Sequence, residues 1–572
     1  EFPNKRSGFQ DSEDENAAYH NIDRLDIEST DTKVSLYDYA KRESELIFEH
    51  FGNHPSFVMY TLGNELGRRK AMYDLVEYFQ EIDPRHLYAQ GSNNMHWSPS
   101  LAEGDDFWVI GRIEEERKPV RGSFYMHDYA HGPVDTTPPS TLDDFSRSIE
   151  GIPVPVIGHE TGQYQVYPDF GDIEQFTGVL KAENYKIFRE RLKRAGMLDQ
   201  ADDFVKASGA LAAICYREDI ELALRTPGFG GFQLLDIMDF PGQGTALVGM
   251  LDVFMESKGA IEADEWSEFC NAVVPLVRMK KHAWTTDETF VARVDVAHYG
   301  AQDLIDARLT WALKDRDHKA IDQGALDPVT IAQGDLNEIN FITRDLDDLE
   351  GPQRLNFTVA IEGTPYRNTY PLWVYPPAVQ PEASGDVIIS RNLLSEKTQT
   401  HLEQGGKVVL LPQLDQLPQS VGGAFQTEFW SPMFALSAKK RGLEEPPGTL
   451  GLLCDPDHPA LAAFPTEFHS NWQWWPLVKH SRPIILDETA DSYRPIVQGI
   501  DNFLRQQKLG LLFETRYDQG SLLICAIDLL GQEEYPEARQ FLESLLRYAE
   551  SDHFQPQHRL SKDLLHALLP GP

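Results

Sequence analysis

The hydrophobic period of this chain changes twice, and each change restricts what can fold there. From residue 1 to about 265, short apolar runs alternate with amphipathic helical stretches, the pattern of βα units wound around a parallel sheet. Leu36 to Phe51 carries Leu36, Tyr39, Leu46, Ile47 and Phe51 at helical spacing and predicts a helix that Asn53-His54-Pro55 stops. Phe57-Val58-Met59-Tyr60-Thr61-Leu62 is apolar on both faces, as buried parallel strands are. Further strands are predicted at 87–90, 123–126, 154–158 and 231–235, with helices near 69–82, 183–195 and 201–224. The stretch from Asn93 to Lys118 reads as a long, irregular loop, the kind that builds a site at the C-terminal ends of strands.

From about 285 to 376 the period becomes two, as in Phe290-Val291-Ala292-Arg293-Val294-Asp295-Val296, which predicts an antiparallel β-sandwich. Pro376-Pro377 to Gly385 reads as a linker, and from Asp386 onward α/β alternation returns. The expected fold is therefore multidomain α/β plus β: a parallel βα portion at 1–282, an immunoglobulin-like sandwich at 283–380, and a C-terminal α/β domain at 381–572.

Charge limits the partners. The 52 basic and 90 acidic residues leave 52 − 90 = −38, a field that repels phosphate backbones, so no nucleic-acid partner is expected. No stretch approaches the roughly 18 to 20 apolar residues of a membrane span, and no membrane partner is expected. Cys215, Cys270, Cys454 and Cys525 lie far apart with no Cys-x-x-Cys, which argues against a disulfide scaffold and against a structural zinc site.

Two segments carry chemistry. Phe57–Leu62 runs into Gly63-Asn64-Glu65, and Pro155-Val156-Ile157-Gly158 runs into His159-Glu160-Thr161-Gly162. Each is a buried strand that delivers a carboxylate at its mouth. Two such carboxylates are what glycosidic cleavage needs: one protonates the leaving oxygen, the other attacks the anomeric carbon or activates water.

Residues 53–65, Asn-His-Pro-Ser-Phe-Val-Met-Tyr-Thr-Leu-Gly-Asn-Glu, resemble the acid/base segment of glycoside hydrolase family 2. This is a family of retaining exo-glycosidases that includes β-galactosidases, β-glucuronidases and β-mannosidases. The resemblance implies a (β/α)8 TIM barrel of which strands 3/4 to 8 are present here. It makes Glu65 the acid/base, Asn64 the donor to the sugar 2-hydroxyl and Glu160 the nucleophile, with His159 and Thr161 where Ser and Tyr are usual. It also implies a sixth-strand Tyr or His near the nucleophile, for which Tyr125 and His127 in Ser123-Phe124-Tyr125-Met126-His127 are the candidates. An eighth strand at 230–236 followed by Asp239-Phe240-Pro241-Gly242-Gln243-Gly244 would set Asp236 or Asp239 against sugar hydroxyls.

The C-terminal region looks loosely like an amidotransferase-type domain, without a Gly-x-Cys-x-Gly elbow, so it is expected to be non-catalytic. Barrel strands one to three of such relatives precede this sequence, and a parallel barrel closes only with eight. The resemblance therefore implies an N-terminal segment or companion chain as partner. The carbohydrate substrate implied is a terminal β-galactoside, with glucuronide or arabinopyranoside as alternatives; a homo-oligomer is consistent with it. A non-catalytic carbohydrate-binding scaffold derived from the same family is the rival. The chemistry needs no cofactor and no metal. A periplasmic or secreted setting is expected rather than a cytoplasmic one.

Blander readings stand beside these. Tyr125 and His127 read equally well as core packing, and His159 as orienting its neighbour. Trp97 and Trp108 read as stacking platforms for sugar faces or as loop packing. Arg112, Arg117 and Arg121 are the basic residues a uronate would need, but they are scattered. Trp472-Gln473-Trp474-Trp475 is expected to be a buried aromatic cluster, Cys454 an inert buried thiol, and Glu114-Glu115-Glu116 solvated surface.

Overall fold

The computed structural model describes residues 36–66, 70–93, 99–114, 116–125, 130–240, 246–377, 381–428, 448–569 and 571. In the N-terminal half the strands are β1 (Met59–Thr61), β2 (Leu87–Ala89), β3 (Trp108–Ile110), β4 (Phe124–Tyr125), β5 (Ala130–His131), β6 (Val156–Thr161) and β7 (Gly231–Leu234). β1 pairs with β2 in parallel, Met59 opposite Leu87. Backbone bridges from Asn64 to Ser92 and from Ser92 to Val109 carry the array on to β3. β3 pairs in parallel with β6, and β6 with β7. Five parallel strands thus follow one another in space, with their C-terminal ends at one rim.

Two features differ from expectation. The parallel strand before β6 is β3, inside the stretch expected to be an irregular loop, whereas 123–126 contributes only β4 of an antiparallel hairpin with β5. The physical reason lies in burial: Phe107, Trp108, Val109 and Ile110 are all buried, a short fully apolar run that sheet pairing claims despite its charged flanks. β1, in turn, is half-buried rather than buried on both faces, with Val58 beside it exposed. Among the described residues β1 pairs on one side only.

The helix Leu36–Phe51 forms where its apolar spacing predicts, and packs Ala40 and Phe48 against Leu62 and Tyr88. The helix Lys70–Ile82 adds Met72, Leu75, Val76 and Phe79 to that core. The helix Ala201–Leu224 is different: it is buried almost all round, with Leu211, Ala212, Cys215, Tyr216, Asp219 and Ile220 fully enclosed. A helix covered on every side is a central element of the fold rather than a surface one.

Beyond it, the antiparallel strands Val273–Met279, Thr289–His298 and Asp335–Asp345 make one sheet. A five-stranded sheet that includes Leu309–Lys314, Gln353–Ile361 and Arg367–Tyr375 makes a second. Phe290, Val294, Leu355, Phe357 and Leu372 fill one core between them. In the C-terminal region, Val387–Ser390, Lys407–Leu410 and Gly520–Cys525 run parallel, and the sheet continues antiparallel through Leu509–Tyr517, Val497–Asp501 and Thr449–Cys454. Trp472, Trp474 and Trp475 are buried as expected, Trp474 donating to Thr466 Oγ1 at 2.8 Å. Cys454 is buried, and burial pushes its thiol pKa up, which keeps it a thiol. Among the described residues no helix is long and apolar enough to cross a membrane.

Candidate active site

The rim of the parallel strands gathers three residues in the left-handed region: Glu65 (φ 54°), Asn93 (φ 52°) and Glu160 (φ 50°). Non-glycine residues hold that conformation at a cost of order 1–3 kcal/mol, so the surrounding bonds must enforce it. They do. Glu65 N donates to Ser92 O at 2.8 Å, Ser92 N to Gly63 O at 2.8 Å, and Asn93 N to Val109 O at 2.7 Å. The ends of β1, β2 and β3 are thereby laced together at the rim.

At β6 a bulge does the aiming. Gly158 faces Phe232 and Thr161 faces Leu234, so His159 and Glu160 together oppose the single residue Gln233. A bulge of this kind bends its strand and re-aims a side chain. His159 Nδ1 lies 3.1 Å from Gln233 Oε1, and its Nε2 lies 3.3 Å from Glu160 Oε1. That second contact is attractive when the ring carries both protons.

Asn64 Nδ2 approaches Glu160 Oε1 at 3.5 Å from across the rim. Arg121, itself buried, places Nη1 3.9 Å from Glu160 Oε2 and donates through Nη2 to Gln163 Oε1 at 2.7 Å. Glu160 keeps 20% of its side chain exposed, so a ligand can reach it. The Asn64 Oδ1 and Thr161 Oγ1 atoms are buried without a hydrogen-bond partner among the described residues, a cost of about 1–3 kcal/mol each unless another molecule supplies a donor. Around this carboxylate stand an amide, an imidazole and a guanidinium: the group can act as a nucleophile whose charge is held and directed.

The expected residues therefore divide. Asn64, Glu65, His159 and Glu160 come to one rim. Tyr125 sits on the β4 hairpin, off the parallel array, and its side chain lies outside the described residues, as do His127 and Trp97. Trp108 packs in the core with Ile110, Val156 and Phe229 instead of facing a ligand. Asp239 is 1% exposed, and its Oδ1 accepts from Gly249 N at 2.8 Å and Lys258 Nζ at 2.7 Å; that carboxylate is taken up by these two donors. Asp236 Oδ1 accepts from Ile237 N at 2.6 Å. Arg117 donates to Glu150 O and Ser148 O and pairs with Glu114, and Arg112 donates to Glu114 O. Arg121 alone of the three arginines reaches the carboxylate. The positions missed by sequence reasoning are Gln163 and Gln233, which no local signal marks, and Asp219, an acid inside an otherwise enclosed helix.

A separate cleft of about 650 Å³ opens where the helix Ala201–Leu224, the five-stranded sheet and the segment 467–472 meet. Arg217, Glu221, Arg354 and Glu467 line it. Two ion pairs lie in its wall, Arg217 with Glu221 and Arg354 with Glu467. Among the described residues no three His, Cys, Asp or Glu side chains are placed to hold a metal ion.

Family models match two parts of the chain: "Domain of unknown function (DUF8488)" at residues 288–376 and "Domain of unknown function (DUF8487)" at residues 389–570. No curated protein matches the chain. Among solved structures it is similar to the exo-chitosanase CsxA of Amycolatopsis orientalis, at 14% identity and a TM-score of 0.35, over 59% of this chain and 38% of that one. An FMN-binding β-glucuronidase from Facaelibacterium prausnitzii L2-6 is similar at 11% identity and a TM-score of 0.25, over 60% of this chain and 45% of that one. These neighbours are glycosidases, and the chain spans less than half the length of each. Similarity at this level leaves the function to be argued from the site itself.

Proposed function

We propose that the chain is the catalytic part of a retaining exo-glycoside hydrolase of the family 2 type, with Glu160 as nucleophile and Glu65 as acid/base. One observation carries the reading: two strand-ending glutamates, both in the left-handed region, share one rim, and the amide next to Glu65 reaches the carboxylate of Glu160. The retaining course proposed requires the two carboxyl groups to stand about 5 Å apart, against the roughly 6.5–9.5 Å that leaves room for water in inverting enzymes.

In the first step Glu160 attacks the anomeric carbon while Glu65, in its acid form, protonates the departing oxygen. In the second, Glu65 as carboxylate takes a proton from water, which attacks the glycosyl-enzyme and frees Glu160. Asn64 donates through Nδ2 to the sugar 2-hydroxyl, a hydrogen bond that strengthens toward the transition state. Arg121 and His159 lie against the charge of Glu160 before attack.

The substrate proposed is a terminal β-galactoside. A glucuronide is less well served: Arg112 and Arg117 are occupied by backbone carbonyls, and Arg121 is turned to Gln163 and Glu160. An arabinopyranoside would meet the same rim. The N-terminal segment or companion chain that would complete a barrel belongs to the proposal as well.

The test is hydrolysis of a panel of p-nitrophenyl β-glycosides, with the intact mass of the preparation measured alongside. Turnover of one glycoside, lost in Glu160→Gln, supports the reading. No turnover of any glycoside by a preparation whose mass exceeds that of this chain alone, or that contains a companion chain, would contradict it and favour a carbohydrate-binding scaffold.

A further inference from the structure

The helix Ala201–Leu224 sends two side chains under the rim, and their partners are the backbones that carry the site. Asp219 is fully buried. Its Oδ1 accepts from Gly122 N at 2.5 Å; its Oδ2 accepts from Gly162 N at 3.0 Å and from Tyr164 Oη at 3.2 Å. Gly122 directly follows Arg121, and Gly162 lies two residues after Glu160. One turn earlier, Tyr216 Oη accepts from Gln163 N at 3.3 Å and donates to Val248 O at 2.8 Å. Gln163 is also the residue that receives Arg121 Nη2. The segments that follow β3 and β6 are therefore pinned to the same helix, three residues apart.

The closeness is visible in the glycines. A Cβ on Gly122 would stand 2.8 Å from Asp219 Cγ, and one on Gly162 would stand 2.1 Å from the Tyr216 ring. Gly162 also has φ +96°, which a side chain rarely adopts. Glycine is required at both places because the helix side chains approach the backbone this nearly.

We propose that Asp219 is a positioning residue: by holding the backbones at Gly122 and Gly162, it fixes the guanidinium of Arg121 against the carboxylate of Glu160. The proposal rests on the reading of Glu160 as nucleophile. A buried carboxylate with no countercharge of its own in hydrogen-bond reach is costly, and three donors plus the field of Arg121 offset that cost. The groups that face it are Arg121 from the segment after β3, Tyr164 from the segment after β6, and Cys215 and Tyr216 from its own helix. Burial pushes the Asp219 pKa up to about 6, against the opposing pull of Arg121 and the two backbone donors. Below that pH a proton occupies one acceptor and the clamp loosens; above it all three donors are served.

The experiment compares Asp219→Asn with Glu221→Gln, a variant on the same helix that faces the other way. Asp219→Asn sets an NH2 group against a backbone N–H. It is expected to lower kcat by about tenfold to a hundredfold, as misplacement of reacting groups by about 1 Å does, with KM little changed. The inflexion near pH 6 in the kcat profile should disappear. Glu221→Gln should leave the shape of the profile as it is. An Asp219→Asn enzyme with wild-type kcat and an unchanged inflexion would overturn the proposal. Should that variant fail to fold, Tyr164→Phe removes one of the three donors and must shift the same inflexion; an unmoved profile overturns the proposal equally. If the wild-type protein turns over no glycoside, the functional reading has failed, and a crystal structure of Asp219→Asn decides the positioning claim by itself. Separation of Arg121 Nη1 from Glu160 Oε2 beyond the present 3.9 Å supports it, and an unmoved pair overturns it.

Discussion

Glu218 and Asp219 are neighbours on one helix, both driven up in pKa by burial, to about 7 and about 6, and they face opposite halves of the molecule. Glu218 turns toward the seam with the five-stranded sheet, where Arg225 donates to it. Beside it, Glu221 accepts from Arg217 Nε at 3.0 Å, Asn368 Nδ2 at 3.0 Å and Tyr370 Oη at 2.8 Å. The Arg217 guanidinium lies over the Tyr370 ring, 4.5 Å from its centroid, a cation–π arrangement. At the rim, by contrast, Glu160 meets His159, Asn64 and Arg121 at 3.3, 3.5 and 3.9 Å. The same ingredients, carboxylate and guanidinium, are locked at the seam and held at arm's length at the rim. Short, saturated contacts secure one arrangement; looser ones suit the bond-making role proposed for Glu160.

Substitutions at the rim should act on turnover and those at the seam on stability. Glu160→Gln should cut turnover more than about a thousandfold, as removal of a covalent nucleophile does, while the melting temperature changes little. A variant that kept a tenth of wild-type activity would remove Glu160 from the mechanism. At the seam the effects should reverse. Glu221→Ala strips buried guanidinium groups of their partner and should cost about 3–5 kcal/mol in urea unfolding, with kcat per folded molecule preserved. Tyr370→Phe deletes one bond to Glu221 and should cost about 1–2 kcal/mol by the same measurement; a larger loss of activity than of stability in either variant would erase the distinction.

The smallest effect is a pH slope. Because burial raises Glu218 above its unfolded pKa, the folded state binds its proton more tightly. Its contribution is complete below about 4.5 and is lost as pH rises through about 7. Melting temperature should fall between pH 5 and pH 8, and Glu218→Gln should flatten part of that slope. An unchanged slope would show that Arg225 keeps Glu218 ionised throughout.

The site was half legible from the sequence, and the division follows how local each signal is. Leu36–Phe51 and Ala201–Leu224 announce themselves by spacing and length, and Asn64, Glu65 and Glu160 by ending apolar strands. β3 did not: Phe107–Ile110 is four residues between Asp106 and Gly111, and only pairing with β6 makes it a strand. Asp239 looked like a rim residue because its partner Lys258 lies 19 residues on. Arg121 looked like one of three scattered bases until the backbone bonds from Gly122 and Gly162 to Asp219 bring it beside Glu160. In each case the deciding contact is tertiary, and no periodicity encodes it.

If Glu160 forms a covalent bond to sugar, trapping isolates the adduct. An activated 2-deoxy-2-fluoro β-galactoside slows both steps but keeps the first fast enough to accumulate the adduct; the protein is then weighed intact and mapped by peptide. A mass increase of one fluorosugar is expected on the peptide that contains Glu160, absent in Glu160→Gln. Turnover of the parent glycoside with no adduct, or an adduct on another residue, would contradict it.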